Sequence, residues 1–260
     1  MVNNKEQPLV SVITVVYNDE ANIEKTMKCI KNQTYKNIEY IVIDGGSKDR
    51  TVELIRKNEA LVSYWVSEPD NGIGDAWNKG VAKASGDYIC ILNCGDLYES
   101  AFIEKNVSNL RRDQLDILYG KTYLTANNKV SYIVDDVFNE SDIVNGFHFM
   151  HTSCFTTKAV YDLVGCFDQN ISIAVDTDWL LRALKLKVNF MKVNTENYME
   201  LGGVSDRKWK EASLQYLSCL VRHGFIKESE LTLNKLLITV KNIYRVSGLV
   251  SLKRKIKNLI

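Results

Sequence analysis

After a polar lead, the chain runs into LVSVITVVYN (residues 9–18), β-branched and apolar almost throughout and halted at Asn18. A short apolar run without alternation predicts a strand buried on both faces. Asp19 is then placed to cap EANIEKTMKCIKNQ, in which Ile23, Met27 and Ile30 recur at helical spacing. IEYIVIDGGS (38–47) predicts a second buried strand, broken at Gly45-Gly46, with Ser47 and Asp49 opening a helix through Leu54 and Ile55. LVSYWVSE (61–68) predicts a third strand, and Pro69-Asp70-Asn71-Gly72 is turn chemistry. IGDAWNKGVAKA reads as a helix and DYICILN (87–93) as a fourth strand. This alternation of strand and helix predicts an α/β unit with a mostly parallel sheet.

Beyond Asp96 the pattern loosens. DILYGKTYL (116–124) and KVSYIV (129–134) read as strands joined by a turn at Ala126-Asn127-Asn128. DTDWLLRALKL (176–186) predicts a helix with acids at its start, where the helix dipole favours them. From about Arg207 onward the pattern is helical. No internal repeat or low-complexity linker interrupts the chain.

Hydrophobic content of 45% and charged content of 25% over 260 residues are those of an ordinary globular protein of one large domain, or a domain with an appendage. The net charge of +1 conceals an uneven spread. Residues 231–260 contain no acid, yet carry Lys235, Lys241, Arg245, Lys253, Arg254, Lys255 and Lys257. An anionic partner for that end is the physical implication. Six cysteines without a CxxC pair argue against a zinc site and a disulfide framework, and favour reduced core thiols. The polar start MVNNKEQP has no secretion-signal core, and no window is apolar for the roughly 18 residues of a membrane span. A cytoplasmic protein is the expectation.

Ligands of open parallel sheets collect at the carboxyl ends of the strands. Here the first strand ends in Tyr17, Asn18 and Glu20, the second in Asp44, and the fourth in Asn93 and Asp96. Acids repel bare phosphate, so these ends suit a ribose and base at Asp44 and a divalent cation bridging Asp96 to a diphosphate. Each acid also has a simpler reading, Asp44 as a turn former and Asp96 as the cap of a helix beginning near Glu99. There is no GxxxxGK[ST] loop, and GIG at 72–74 lacks the spacing of a dinucleotide fingerprint.

VSVITVVYN, IEYIVIDGGSKDRT, DAWNKGVAKASGDYICILNCGD and VDTDWLLR, in that order, resemble the family-two glycosyltransferases of GT-A fold, over about residues 8–205. SEPDNGIGDAWNKG followed by LNCGD resembles the branch that builds bacterial surface polysaccharides. The resemblance implies a Rossmann-like, mostly parallel sheet flanked by helices, and transfer of a sugar from a nucleotide sugar with inversion. The last acid of the family's metal motif falls on Asp96, while Asn93 and Gly95 stand where acids often occur. One carboxylate is then expected to hold Mn²⁺ or Mg²⁺ together with substrate oxygens. Asp44 matches the acid that bonds uracil or ribose, and Tyr17, Asn18 and Glu20 match the loop against the base. Asn78 falls within the family's ARN-x-G pattern with Trp77 in place of Arg, leaving Lys79 or Asp75 as alternative contacts.

Inversion needs a carboxylate to deprotonate the acceptor hydroxyl. Asp176 matches the family's base, Val175 replaces the preceding Glu, and Asp178 competes, although successive first-turn positions point in different directions. His151 in GFHFMHTSCF falls where the family carries a His-Gln pair, and LGGVSD resembles a mobile loop in which Gly202 and Gly203 approach phosphate. The expected organisation is a GT-A unit over 1–205 and a basic, amphipathic helical extension over 206–260. That extension suits an anionic inner-membrane surface or packing on the body, and nothing supports nucleic acid. The expected activity is transfer from a UDP-sugar, with UDP-glucose and a β-linkage as the specific guess. The acceptor would be a polyprenyl-diphosphate-linked saccharide in O-antigen or capsule repeat assembly. An inactive nucleotide-sugar binder and a sugar-phosphate nucleotidyltransferase are the rival readings.

Overall fold

Strand β1 (Val10–Val16) is buried along its whole length, because helices cover the sheet on both sides. Val10, Val12 and Val16 face one core with Met27, Ile30 and Ile55, while Ile13 and Val15 face the other with Trp77. The computed structural model that shows this describes residues 7–109, 111 and 114–230. The basic segment 231–260, and with it the expected membrane contact, lies outside the described residues.

β1 pairs in parallel with β2 (Ile38–Asp44) and β4 (Tyr88–Ile91), and β2 pairs with β3 (Tyr64–Ser67). Strand order therefore reverses at β1, where the chain crosses to β4. Helices α1 (Ile23–Lys31), α2 (Thr51–Lys57) and α3 (Ile73–Lys83) make the crossovers. α3 lies tight on the sheet. A Cβ added at Gly80 would fall 2.4 Å from Ile13 Cγ2, so that position accepts no side chain without movement. One expectation is corrected here: Asp19 does not cap α1. Asn22 occupies the cap position without a side-chain bond, and Asp19 instead accepts the Asn22 amide at 2.9 Å and the main-chain N–H of Asn22 and Ile23.

The second half extends the sheet to nine strands in the order β3-β2-β1-β4-β8-β6-β9-β5, with β7 on the flank of β6. β5 (Leu97–Tyr98), β7 (Lys129–Val134) and β8 (Phe155–Thr157) run antiparallel to their partners. β6 (Asp116–Ala126) and β9 (Asn189–Glu200) are long and mutually parallel. Their register shifts between Tyr119 and Lys121, at Gly120. α4 (Phe102–Asn109) and α5 (Lys158–Val164) flank this half. α6 (Val175–Lys185) packs against α8 (Trp209–Arg222), which buries Leu217, Cys219 and Leu220. α7 (Val204–Arg207) is a single turn between β9 and α8. The six cysteines carry no disulfide, and Cys90, Cys154 and Cys219 are buried as expected of core thiols.

Candidate active site

Asp44 ends β2 fully buried and accepts the main-chain N–H of Gly46 (3.1 Å) and Ser47 (3.0 Å), and the hydroxyls of Ser47 and Ser67 (2.6 Å). Four donors on one carboxylate fix the β2 loop against the end of β3. That loop is in turn laced to the β1 loop. Asn18 N–H donates to Ser47 Oγ at 2.7 Å, and Lys48 N–H donates to Asn18 Oδ1 at 2.7 Å. Arg50 N–H donates to Glu20 at 2.8 Å, and Glu20 N–H donates to Asp49 at 3.0 Å. Asn18 adopts φ 49°, which asparagine tolerates better than most residues. Tyr17 is left standing out of this cross-linked floor, 62% exposed. Its ring and the Asp70 carboxylate flank Gly45, where a Cβ would lie 2.4 Å from Asp70 Oδ2 and 3.4 Å from Tyr17 Cδ2. Asp70 thus joins the strand-end group, although its sequence context marked only a turn.

Beyond β4, Gly95 takes φ 95° and turns the chain so that Asp96 points inward. The Asp96 carboxylate is 6% exposed and accepts the main-chain N–H of Glu200, at the end of β9, at 3.2 Å. It does not cap α4, which begins at Phe102. Its second oxygen has no protein partner among the described residues and still reaches solvent. Burial, helped by the negative charge of Glu200 and opposed by that hydrogen bond, pushes its pKa up to about 8. No described Lys or Arg pairs with it.

Trp77 on α3 bridges the strand ends to the far side of the site. Its indole Nε1–H donates to Asn93 Oδ1 at 3.1 Å, and its ring lies 4.9 Å from that of His151. His151 begins the turn His151–Ser153 and is 8% exposed. Its Nδ1 is buried without a partner. Burial lowers its pKa against the pull of the Asp176 charge, so the ring is held neutral.

The two acids of α6 have different surroundings. Asp178 is 2% exposed and is saturated by Arg182 Nε (3.0 Å), His223 Nε2 (2.8 Å) and Arg222 (3.4 Å). Asp176 is half-buried and uses one oxygen on the Thr177 N–H at 2.7 Å and the Thr177 hydroxyl at 3.4 Å. Its other oxygen has no partner among the described residues.

Other predicted residues are occupied by the scaffold. Asn78 closes a two-way pair with the Phe167 main chain, donating to its carbonyl at 2.9 Å and accepting its N–H at 2.8 Å. Lys79 ties α3 to the turn before it through the Pro69 carbonyl (3.1 Å), Glu68 (3.0 Å) and Asp75 (3.5 Å). Gly203 is exposed and precedes α7, and Gly202 beside it takes φ 99°. The Gly202 N–H and carbonyl are held by Asp206 and Arg207, both at 2.8 Å.

Residues 11–170 match the profile of the family described as Glycosyl transferase family 2. The chain belongs to that family. An uncharacterized glycosyltransferase of Mycobacterium tuberculosis is 32% identical over 187 residues, spanning 68% of this chain and 69% of the relative. A PGL/p-HBAD biosynthesis glycosyltransferase of Mycobacterium bovis is 24% identical over 227 residues, 84% of this chain and 87% of that one. Staphylococcus aureus TarS 1-349 in complex with UDP-GlcNAc aligns with a TM-score of 0.65 at 15% identity, over 87% of this chain and 70% of that one. The mannosyltransferase PcManGT from Pyrobaculum calidifontis, in complex with GDP-Man and Mn²⁺, aligns at 0.63 and 17% identity, over 84% and 64%. The family-two chain spans 41% of the longer TarS. Its fold is the GT-A fold of these structures, and it is a glycosyltransferase. No helix among the described residues is long and apolar enough to cross a membrane.

No three His, Cys, Asp or Glu side chains converge as a metal cluster among the described residues. The fit to a divalent cation rests on Asp96 alone: a buried carboxylate with one oxygen free, its pKa raised by burial and by the nearby Glu200 charge. A hard cation would supply positive charge there and would take its remaining oxygens from substrate and water.

Proposed function

We propose that this family-two glycosyltransferase catalyses inverting transfer from a UDP-sugar to a saccharide carried on a lipid diphosphate, with Asp176 as the base. UDP-glucose and a β-linked product are the specific donor and linkage, and surface-polysaccharide repeat assembly is the setting. The contrast on α6 carries this reading: Asp178 is spent on two arginines and a histidine, whereas Asp176 keeps an unengaged oxygen and its charge reaches His151.

The donor's base and ribose would lie on the floor made by Tyr17, Asn18, Glu20 and Asp44, with Asp70 at its side. Asp96 would hold Mn²⁺ or Mg²⁺, whose contribution is to neutralise charge on the departing diphosphate. Asp176 takes the proton of the acceptor hydroxyl as that oxygen attacks the anomeric carbon from the face opposite the UDP. Neutral His151 offers its Nε2 to the acceptor or to a diphosphate oxygen without adding charge. Asp178, through Arg182 and Arg222, holds the start of α6 so that Asp176 stays aimed. The turn at Gly202-Gly203 approaches the diphosphate when the donor is bound. In this reading α8 packs on the catalytic unit and Arg222 and His223 at its end serve Asp178, while the acid-free segment 231–260 meets an anionic inner-membrane surface.

The test is a panel of UDP- and GDP-hexoses incubated with Mn²⁺ and a polyprenyl-diphosphate saccharide, with release of nucleoside diphosphate measured. UDP release that requires the acceptor and disappears in Asp176→Asn supports the reading. Turnover with GDP-sugars alone overturns the donor, and an active Asp176→Asn overturns the base.

A further inference from the structure

Asn93 stands where the family's metal motif often carries an acid, and its amide has two chemically opposite ends. Trp77 distinguishes them. An indole N–H donates and has no lone pair to accept with. The end of the amide that faces it at 3.1 Å must therefore be the carbonyl oxygen. The other end, Nδ2 with its two N–H groups, has no partner among the described residues and is not sealed from solvent. Trp77 is itself closely packed. It is 4% exposed, with His151 at 4.9 Å and Phe167 at 5.0 Å against its ring, so it holds one orientation of the amide.

We propose that Trp77 is a positioning residue that turns Asn93 into a hydrogen-bond donor to an oxygen of the nucleotide sugar, and removes it as an oxygen ligand for a cation. This rests on the nucleotide-sugar reading above and deepens it. An amide free to flip would offer a cation its carbonyl as readily as it offers a substrate oxygen its N–H groups. A pinned amide turns its Oδ1 toward the buried indole and its N–H groups away from it, and the partial positive charge of those groups repels a metal ion. The consequence is a division of labour within NCGD: Asp96 supplies the charge, and Asn93 reads an oxygen of the substrate. The same indole carries His151 on its face, so one side chain aligns a group on the donor side and the neutral ring beside Asp176.

The experiment uses the full chain, with UDP-glucose and GDP-mannose, each with Mn²⁺, as calorimetric probes. Trp77→Phe keeps a ring on His151 and deletes the N–H, and Asn93→Ala deletes the amide. Each is expected to weaken the better probe about tenfold, the effect of one lost hydrogen bond. The double variant is expected to be no weaker than either, since Trp77 acts through Asn93. Losses that multiply to about a hundredfold, or an unchanged Trp77→Phe, overturn the proposal. Asn93→Asp keeps an acceptor for Trp77 but exchanges the N–H groups for a charge. It should lose probe affinity while binding Mn²⁺ more tightly without nucleotide, and wild-type affinity for both overturns the proposal. Should Trp77→Phe fail to fold, the indole N–H of Trp77 in ¹⁵N-labelled protein decides. Slow solvent exchange in the wild type that speeds up in Asn93→Ala supports the pinning, and no change refutes it. If neither probe binds the wild type, the donor reading fails, and the indole exchange still judges the positioning.

Discussion

The Asp96 carboxylate accepts the main-chain N–H of Glu200, 104 residues further along the chain, at 3.2 Å. This bond latches the turn after β4 to the end of β9, and it stands on an acid that burial holds largely protonated near neutral pH, with a pKa of about 8. The unfolded value is about 3.9, so the folded protein binds more protons than the unfolded chain between those two values. Stability therefore falls as pH rises from about 4 to about 8. In metal-free, nucleotide-free solution, Asp96→Asn should match the wild type in urea near pH 4. It should be progressively more stable toward pH 8, at about 1.4 kcal/mol per pH unit at most. A difference in urea midpoint that does not grow between pH 5 and pH 8 is the contrary result.

The acids of α6 are expected to separate cleanly on mutation. Asp176→Asn should fold like the wild type and lose turnover by more than about a hundredfold, the scale of a missing general base. Asp178→Asn leaves Arg182 and the partly exposed Arg222 without their shared carboxylate. It should lose about 3 kcal/mol of stability, the lower end for a broken buried ion pair. Comparing urea midpoints with UDP release across the two variants checks both statements.

Asp44 receives four hydrogen bonds, and an amide in its place would aim an NH₂ group at one or more of those donors. Asp44→Asn should cost about 1–3 kcal/mol and reduce affinity for UDP as the β2 loop loosens. Ser67→Ala, which removes one donor and creates no clash, should give a smaller loss of both. Calorimetry with UDP and denaturant unfolding of the two variants tests the order.

Gly120 sits at the register shift between β6 and β9. A Cβ there would fall 2.2 Å from Thr195 Oγ1 and 2.5 Å from the Thr195 carbonyl oxygen. The obstacle is main chain, which has no rotamer to change. Gly120→Ala should destabilise by about 1–3 kcal/mol or more, and should increase hydrogen exchange along β9 ahead of β1. Uniform exchange across both strands would refute a local cause.

The first half of the chain was legible because its signals are local. β1, β2 and β4 are short apolar runs, and α3 and α6 follow helical spacing to within a residue of their observed ends. Acids placed at strand ends marked Asp44 and Asp96 before any contact was known. β9 carried no such mark. NFMKVNTENYME carries three Asn and two Glu, which disfavour strands, and it is a strand because β6 pairs with it along its length. Asp70 and the link from Trp77 to Asn93 escaped for a related reason. Their roles come from neighbours on other loops, and spacing along one segment does not contain them. Asn78 illustrates the converse, a conspicuous motif position whose amide is engaged by a main chain 89 residues away.

The laced loops after β1 and β2 bear on how tightly the enzyme can hold its donor. Flexible binding loops give up conformational entropy when a ligand arrives, and that loss is subtracted from affinity. Here Asn18, Glu20, Ser47, Lys48, Asp49 and Arg50 fix one another through their own hydrogen bonds. In the proposed site a nucleotide would meet a surface already ordered by these loop-to-loop hydrogen bonds, leaving more of the contact free energy for recognition.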